Sequence, residues 1–420
     1  MRRPFNNLNH YLKSLIFFLS VQLISKHYDV ILSSSISFNR GKDNLNMLFS
    51  PFIKLFQEEK KTFLILEEPD LGGAFRDLSH SKQAISLFPI TLSEMVLRKL
   101  FFFINHESRE RYIREIIQKI FFRNLKSKHI LTLIHHKVEL WRLCFKDSYI
   151  YDYQHGIMYS NHPGYIKDHR ASSRSRENGV ILLTHSKIIS NILISNDQSG
   201  YYNDQTVINL GFKNHVKSSR RYLHKDQLTI LFSLQDVDDG GEQALKEYYL
   251  KVFDILKEIE SFSELKIDLF VKRHPRANKN RDLKLPINSS NHLFLAEDID
   301  IERDRINLHL THNSSTAIDL AYHGIPTFFL EIGRPNRESF PFLRANKIFL
   351  DDLSYPYKNH FITSFEDLRS CLMGYRDILR SGKEDIHTEI FNWHQRLHED
   401  FDKKRTIKVF SKQDFFKLKI

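Results

Sequence analysis

Short apolar runs alternate with charged, amphipathic stretches through the first half of the chain. The runs at 28–32, 62–66 and 129–134 predict β-strands, and the stretch at 107–128 predicts a helix that precedes the third of them. Strands that alternate with helices are typical of a parallel, doubly wound sheet. The pattern therefore predicts an α/β fold.

The second half repeats this alternation. A strand is predicted at 228–234, and apolar residues recur at four- and three-residue steps over 245–259, which predicts an amphipathic helix. The stretch at 306–330 predicts a strand, a helix that ends at Gly324, and a further strand. Such a strand–helix–strand unit belongs to a second α/β sheet.

A chain of 420 residues is long for a single hydrophobic core. The polar, basic segment at 216–227 has little apolar periodicity and predicts a linker. We therefore expect an N-terminal Rossmann-like domain at 1–215 and a C-terminal Rossmann-like domain at 228–385. A C-terminal helix and a basic tail are expected at 386–420.

One predicted strand of the second half leads into a basic loop. Lys272, Arg273 and His274 follow the strand, and Pro275 fixes the backbone after them. Open α/β sheets bind their ligands at the carboxyl ends of strands. The loop therefore suits an anionic ligand such as a phosphate.

Small polar residues follow two other predicted strands. Asn313, Ser314 and Ser315 precede a helix, and either serine can cap it. A helix start offers free N–H groups and a positive dipole end, so an anion can sit there, although a plain helix cap explains this pattern equally well. Gly240 follows the strand at 228–234 and would let the backbone approach a phosphate closely.

Candidate catalytic groups cluster after strands of the first half. Asp152, Gln154 and His155 lie at the end of an apolar run, and Glu68 follows another. Transfer to a hydroxyl needs either a base that takes the proton or a carboxylate that forms a covalent intermediate. Asp152 suits both routes, His155 suits the first, and Glu68 is a further carboxylate. The alternative is that neither group is catalytic. Asp152, Gln154 and His155 would then form a hydrogen-bonded turn, and Glu68 would belong to a solvated acidic turn.

The His-Pro motif at His274, followed forty residues later by Ser314-Ser315, resembles the nucleotide-binding half of GT-B glycosyltransferases. The resemblance is closest to bacterial sialyl- and polysialyltransferases, capsule Kdo transferases and teichoic-acid polymerases. It implies two Rossmann-like, doubly wound domains that face a cleft. It also implies that His274 contacts the nucleotide, that the serines hold its phosphate, and that Asp319 accepts a hydrogen bond from the ribose.

Gln154-His155-Gly156 is similar to a motif of surface-polysaccharide transferases in the same group. In retaining Kdo transferases an aspartate near such a position is the nucleophile, and in teichoic-acid polymerases a histidine beside glycine is the proposed base. The resemblance implies retaining transfer through Asp152. An inverting reaction with His155 or Asp152 as the base is the rival. The family resemblance implies no metal ion and no cofactor besides the nucleotide-sugar co-substrate.

Lysine and arginine outnumber aspartate and glutamate by 62 to 51, which suits anionic partners. Nucleotide sugars, anionic glycans and anionic lipids fit this charge. Nucleic acid is not expected, because the chain has no zinc-finger spacing, no RNP-type strand and no long basic run. The two cysteines, Cys144 and Cys371, lie far apart in the sequence, so a reducing cytoplasm is the expected setting.

Two segments bear on membrane contact. The apolar run at 14–25 is too short to span a bilayer and has no cleavage pattern after it, so it predicts a helix packed in the first domain, with a membrane-surface helix as the alternative. The tail at 402–420 mixes lysines with aromatic residues. It suits either an anionic membrane surface at the inner face of the inner membrane or a helix folded back on the domains.

The resemblance implies a cytoplasmic glycosyltransferase that builds a capsule or lipopolysaccharide glycan on a glycan or glycolipid acceptor. It favours CMP-Kdo or CMP-sialic acid as the donor. A UDP-sugar glycosyltransferase and a CDP-polyol phosphotransferase are alternatives, because both would use the same nucleotide site. A non-catalytic sugar-nucleotide-binding protein would keep His274 but would not need Asp152 and His155 at one strand end.

Overall fold

The computed structural model describes residues 8–39, 44–70, 79–156, 164–212, 227–234, 242–263, 266–272, 293–295, 305–311, 316–330, 332, 361–381 and 385–411. The chain divides into two compact units. The first comprises Met1–Asn214 and His398–Ile420, and the second comprises His215–Leu397.

The first unit alternates strands and helices. Its strands are β1 (Lys26–Ser35), β2 (Phe63–Glu68), β3 (Ile85–Ser86), β4 (Leu125–Leu133), β5 (Tyr149–Tyr153), β6 (Ile166–Lys167), β7 (Arg170–Ala171), β8 (Val180–Thr184) and β9 (Val207–Asn209). Its helices are α1 (Leu8–Leu23), α2 (Ser50–Glu58), α3 (Phe88–Leu100), α4 (His106–Ile117), α5 (Val138–Cys144), α6 (Ser173–Asn178) and α7 (Lys187–Asn196), with α12 (Lys403–Val409) from the end of the chain.

The strands of the first unit form one parallel sheet in the order β3-β2-β1-β4-β5-β8-β9, and β6 and β7 form a separate antiparallel pair. In the middle of the sheet Leu32 lies between Ile65 and Leu131. Strands β5 and β8 are buried along their whole length, as expected for a parallel sheet that has helices on both faces.

The predicted helix at 107–128 is wrong at its C-terminal end. Helix α4 stops at Ile117, a π-helical turn at Gln118–Phe122 follows, and β4 begins at Leu125. From Leu125 onward, buried residues alternate with exposed Lys126 and Lys128, which is the two-residue period of a strand. The two lysines made this segment resemble the charged helix before it.

The segment from 398 to 411 packs into the core of the first unit. Phe401, Val409 and Phe410 are buried, and the ring of Phe410 lies 5.1 Å from Phe56 and 5.0 Å from Tyr151. These apolar side chains face protein. Of the two predicted alternatives for the basic tail, its described part therefore matches the helix that is folded back on the protein. It does not offer its apolar residues to a membrane. Residues 412–420 lie outside the described part.

Two backbone hydrogen bonds join this C-terminal segment to the end of β9. The Phe212 N–H donates to the carbonyl of Glu399, and the Asp402 N–H donates to the carbonyl of Leu210, both at 2.8 Å. Gly211 lies between them with a φ of +75°. Its backbone therefore touches the neighbouring segment at a point where a side chain has no space.

The second unit has its own sheet. Its strands are β10 (Gln227–Ser233), β11 (Lys266–Lys272), β12 (Leu293–Leu295), β13 (Leu308–Thr311), β14 (Thr327–Leu330) and β15 (Phe361–Ile362). Its helices are α8 (Glu242–Ser263), α9 (Thr316–Ala321), α10 (Phe365–Ser381) and α11 (Asp385–Leu397). All strands are parallel, in the order β12-β11-β10-β13-β14-β15.

The predicted α/β fold class with two Rossmann-like sheets is confirmed. Both sheets place their first strand in the middle and add later strands on either side, which is the Rossmann order. The predicted strand–helix–strand unit in the second half is also confirmed as β13, α9 and β14. Its helix packs on the sheet through Leu320, which is buried in a cluster with Leu231, Phe270 and Ile325.

A buried histidine joins three strands of the second sheet. His309 on β13 is fully buried, with its Nδ1 3.0 Å from the hydroxyl of Thr327 on β14 and its Nε2 2.9 Å from the hydroxyl of Ser233 on β10. Burial, with the charge of Lys272 as a second cause, lowers the pKa of His309 to about 3. The imidazole is therefore neutral at ordinary pH and satisfies both hydroxyls.

Replacing Gly211 with alanine is expected to destabilise the protein. A Cβ there would lie 2.0 Å from the backbone oxygen of Asp400, and the φ of +75° is itself unfavourable for alanine. We expect the free energy of unfolding to fall by roughly 2–4 kcal/mol in a denaturant titration. Gly200→Ala is the matched control, since Gly200 has a φ of +72° with open space around it. Equal losses in the two variants would contradict the steric explanation.

The stability of the protein should depend on His309 below neutral pH. The unfolded chain binds a proton at this histidine near pH 6.5, whereas the folded chain does not until about pH 3. Stability linked to His309 is therefore complete above pH 6.5 and is lost as the pH falls towards 3, by up to about 1.4 kcal/mol per pH unit. Urea titrations from about pH 7 to about pH 5 should show a shallower pH dependence for His309→Gln than for the unchanged protein. Parallel curves would refute this assignment.

Candidate active site

The strand order reverses beside the first strand of each sheet, between β1 and β4 in one and between β10 and β13 in the other. At such a point the connecting segments leave in opposite directions. The crevice that opens at the carboxyl ends of the strands is where α/β proteins bind their ligands. Each unit therefore has one such edge for a candidate site.

Four polar side chains meet at this edge of the first unit. His136 follows β4, and its Nε2 lies 2.8 Å from Oε2 of Glu68 at the end of β2. Its Nδ1 lies 2.9 Å from the hydroxyl of Ser33 on β1. The Nζ of Lys137 lies 3.1 Å from Oε1 of Glu68 and 3.0 Å from Oε2 of Glu94 on α3. Serine, imidazole, carboxylate and ammonium thus form one connected group, hereafter the Glu68–His136 cluster.

The charge state of Glu68 follows from these contacts. Burial alone would raise the pKa of this carboxyl, but the hydrogen bond from His136 and the charge of Lys137 outweigh burial and lower the pKa to about 2. Because an ionised carboxylate only accepts hydrogen bonds, the proton at Nε2 of His136 points to Glu68. The Glu68 side chain is also the most exposed of the cluster, at 29%. It is therefore a carboxylate that stays ionised and remains accessible.

The turn that presents His136 has an unfavourable backbone. Ile134, His135 and Lys137 have φ values of 54°, 51° and 51°, in the left-handed region that non-glycine residues seldom adopt. For the β-branched Ile134 this conformation is a clear outlier, and such strain costs about 1–3 kcal/mol per residue. Strained residues of this kind concentrate at ligand-binding and catalytic sites.

Asp152 lies at the predicted strand end, but it is fully buried. Its Oδ1 accepts from the Thr132 hydroxyl and from the His135 N–H, both at 2.8 Å, and its Oδ2 accepts from the Tyr165 hydroxyl at 3.0 Å. Burial, followed by the charge of Asp152, raises the pKa of Tyr165 well above its usual value, so this hydroxyl keeps its proton. The contacts make Asp152 a residue that holds the strained turn, and its predicted catalytic role stays a prediction.

His135 of the same turn points into the protein. It is buried, and its Nε2 lies 2.8 Å from the hydroxyl of Ser175 on α6. Burial lowers the pKa of His135, so its imidazole stays neutral. His135 therefore fixes the turn, and His136 beside it is the histidine that meets the carboxylate.

The other two predicted catalytic residues of this segment differ in exposure. Gln154 is buried; its Oε1 accepts from the His185 N–H, and its Nε2 donates to the carbonyl of Gly156, both at 2.8 Å. His155 is exposed and packs edge-on against Phe38 at 4.6 Å between ring centroids. Of the Gln-His-Gly motif, only His155 presents a titratable group to solvent.

A cavity of about 190 Å³ adjoins Lys137 on the α3 side of the cluster. Its wall includes two ion pairs, a two-point contact of Arg98 with Glu110 at 2.9 Å and a contact of Arg174 with Glu139 at 2.8 Å. Polar groups of both charges therefore line the space next to the cluster. Among the described residues, no group of three histidine, cysteine or acidic side chains is arranged to hold a metal ion.

In the second unit the two motif-bearing strands lie on either side of β10. Lys272 ends β11, which pairs with β10, and its charge contributes to the lowered pKa of buried His309 on β13. Asp319 is exposed in the first turn of α9. The remaining predicted nucleotide-binding residues lie outside the described residues: Arg273, His274, Pro275, Asn313, Ser314, Ser315 and Gly240.

The sequence interpretation missed His136 and Lys137. They directly follow the predicted strand at 129–134, so a signal was present in the pair of histidines and the lysine at a strand end. Their partner Glu68 lies 68 residues earlier in the chain. Only the parallel pairing of β1 with both β2 and β4 brings the three groups together.

No protein-family model and no curated protein matches the chain. Solved structures do resemble it. The UDP-GlcNAc 2-epimerase from Methanocaldococcus jannaschii, in complex with UDP-GlcNAc and UDP, has a TM-score of 0.52 and 12% sequence identity, and the match covers 92% of this chain and 99% of the epimerase. The wall teichoic acid polymerase TagF has a TM-score of 0.51 and 12% identity, covering 97% of this chain and 95% of the TagF chain.

Identities this low show the fold alone. Both similarities extend over nearly the whole chain. They therefore include both units, rather than one Rossmann-like sheet alone. The chain therefore has the GT-B fold.

Proposed function

We propose that the protein is a glycosyltransferase that moves a sugar from a nucleotide-activated donor to a glycan or glycolipid acceptor. The observation that carries this proposal is the Glu68–His136 cluster, an ionised carboxylate held by an imidazole and an ammonium where the strand order of the first sheet reverses. The GT-B fold supports the proposal, because it supplies a second such edge for the donor.

The donor is assigned to the second unit. The charge of Lys272, at the end of β11, acts on His309 of β13, and Asn313, Ser314 and Ser315 stand in the sequence between β13 and α9, where we expect a phosphate to bind. Lys272 and the motif residues His274, Ser314 and Ser315 would bind the nucleotide. Asp319 in α9 would accept a hydrogen bond from the ribose.

The reaction is assigned to the exposed groups of the first unit. Glycosyl transfer passes through a transition state with positive charge on the sugar ring, which an ionised carboxylate stabilises. Glu68 is such a carboxylate, and a pKa of about 2 makes it a poor general base near neutral pH. His155 is an exposed imidazole on the same sheet edge, and imidazole titrates near neutral pH, so His155 suits the base that takes the acceptor proton.

Retaining transfer through Asp152 is the less favoured route. A nucleophile must reach the anomeric carbon, but the Asp152 carboxylate is enclosed and already accepts three hydrogen bonds. In the inverting route the acceptor oxygen attacks the anomeric carbon as its proton passes to the base and the nucleotide leaves. Asp152 then acts by holding the turn that carries His136.

A CMP-activated acidic sugar, Kdo or sialic acid, is the proposed donor, and a bacterial capsule or lipopolysaccharide glycan is the proposed product. This choice rests on the His-Pro and Ser-Ser motifs. A UDP-sugar donor is the second candidate, and the solved epimerase with UDP-GlcNAc and UDP favours it. No cofactor or metal ion enters the proposal.

Nucleotides should stabilise the folded protein selectively. A ligand that binds only the folded state at about a hundred times its dissociation constant adds about 2.7 kcal/mol of stability. We expect CMP to raise the melting temperature more than CDP, UDP or GDP do, and Lys272→Ala or His274→Ala to reduce the rise. Lys266→Ala is the matched control, because Lys266 lies at the opposite end of the same strand.

The pattern of stabilisation separates the candidates. Selective stabilisation by UDP would replace the CMP donor with a UDP-sugar. Stabilisation by CDP alone would favour a polyol phosphotransferase. No stabilisation by any of the four nucleotides would remove the support for a donor site in the second unit.

Replacing the carboxylates of Glu68 and Asp152 with amides should have different effects on turnover and on stability. Glu68→Gln keeps the shape but removes the charge, so we expect kcat of the folded protein to fall by about a hundredfold or more, and the lost contacts with His136 and Lys137 also lower the melting temperature. Asp152→Asn presents an amide N–H₂ to one of its donors, so we expect a clearly lower melting temperature. Glu115→Gln, in a surface ion pair with Arg111, is the control for both. Loss of turnover in Asp152→Asn without destabilisation would restore the direct role for Asp152.

A further inference from the structure

Helix α1 is buried on one side only. Phe18 and Val21 pack into the first unit, whereas the opposite side exposes a row of large apolar side chains. These exposed residues are Leu12, Leu15, Ile16, Leu19 and Leu23. The predicted packed helix therefore describes the inner side of α1, and the membrane-surface alternative stays a prediction for its outer side.

Helix α3 extends this apolar surface. It contacts α1, and Tyr11 of α1 stacks on Phe88 of α3 at 4.0 Å between ring centroids. Its outward side chains are Leu92, Met95, Val96 and Leu100, and the turn after it exposes Phe102 and Phe103 to 75% and 71%. These residues and the exposed row on α1 are called the α1–α3 face.

The exposed apolar residues are concentrated, not scattered. Fourteen of the sixteen large apolar side chains that are exposed in the described part of the chain lie within residues 12–24 or 92–120. The other two are Met47 and Ile134. Single exposed apolar residues are normal on any protein surface, but a concentration of them on two helices that contact each other indicates a binding surface.

The same segments carry a positive charge. Residues 8–26 and 88–123 contain nine lysines and arginines against four acids. Lys99 lies in the last turn of α3, and Lys26 and Lys119 follow α1 and α4. An apolar helix face with a basic surround has the chemistry of a helix that lies in the surface of an anionic bilayer.

The length of the helices fits binding in the surface plane. No helix in the described ranges is long and apolar enough to cross a membrane. Helix α1 has 16 residues, about 24 Å, and one of its sides is occupied by the core of its own unit. Only its outer side is available to a partner.

We propose that the α1–α3 face docks on an anionic lipid bilayer. The leucine, isoleucine and phenylalanine side chains enter the boundary between headgroups and acyl chains, and the lysines and arginines around them contact the anionic headgroups. Phe102 and Phe103 lie at the most exposed end of α3 and enter deepest. This assignment is independent of the proposed reaction.

Sedimentation of the full chain with lipid vesicles tests the proposal. We expect binding to vesicles of phosphatidylcholine and phosphatidylglycerol in equal parts, weak binding to phosphatidylcholine alone, and loss of binding at high salt. The double variant Phe102→Ser, Phe103→Ser should reduce the partition coefficient by about tenfold or more without lowering the melting temperature, because both side chains are exposed. Met47→Ser, which removes an apolar side chain that is 53% exposed elsewhere, should bind as the unchanged protein does.

A second variant, Ile16→Ser with Leu19→Ser, tests the α1 part of the face and should show a similar loss. The proposal is overturned if the unchanged protein does not sediment with anionic vesicles, or if the phenylalanine variant binds them equally well. Light scattering without lipid tests whether a second copy of the chain covers this face instead. If the unchanged protein is a dimer and the phenylalanine variant is a monomer that still binds vesicles, the face is an interface between two copies and the lipid proposal is wrong.

Discussion

The three hydrogen bonds to Asp152 decide the geometry of the candidate active site. A buried carboxylate is costly unless its oxygens are satisfied, and here a threonine hydroxyl, a tyrosine hydroxyl and the His135 N–H satisfy it. The His135 N–H that donates to Asp152 belongs to the turn after β4, where His135 itself has a left-handed φ of 51°. The hydrogen bond from His135 to this buried carboxyl group thus helps to hold a strained turn, and that turn presents His136 and Lys137 to Glu68.

The two sheets differ in the chemistry of their buried polar side chains. Each encloses a fully buried polar side chain, on β5 in the first sheet and on β13 in the second. In the first sheet it is Asp152, whose carboxyl oxygens accept three hydrogen bonds. In the second it is His309, whose imidazole is kept neutral by burial and which bonds two hydroxyls. A neutral group suits the edge next to Lys272, because it does not neutralise the charge that an anionic ligand would meet.

The sequence predicted the fold well because strands of this kind are continuous apolar runs, and most of them could be located from those runs. It failed where a residue's role depends on distant partners. Glu68 was recognised as a carboxylate after a strand, yet its charge state depends on His136 and Lys137, which lie nearly seventy residues later. Asp152 was recognised for its position, but its enclosure depends on Tyr165, which directly precedes the separate pair of short strands β6 and β7.

Helix α3 connects the proposed lipid surface with the proposed active site. Leu92 and Val96 face outward on the α1–α3 face, while Glu94 between them turns inward and holds Lys137 at 3.0 Å. Lys137 in turn contacts Glu68, so the carboxylate lies two side-chain contacts from helix α3. A protein docked through this face would hold its cluster close to the headgroups. An acceptor attached to a lipid would then reach Glu68 without leaving the membrane. Docking of this kind would explain why the outer side of α3 is both apolar and exposed.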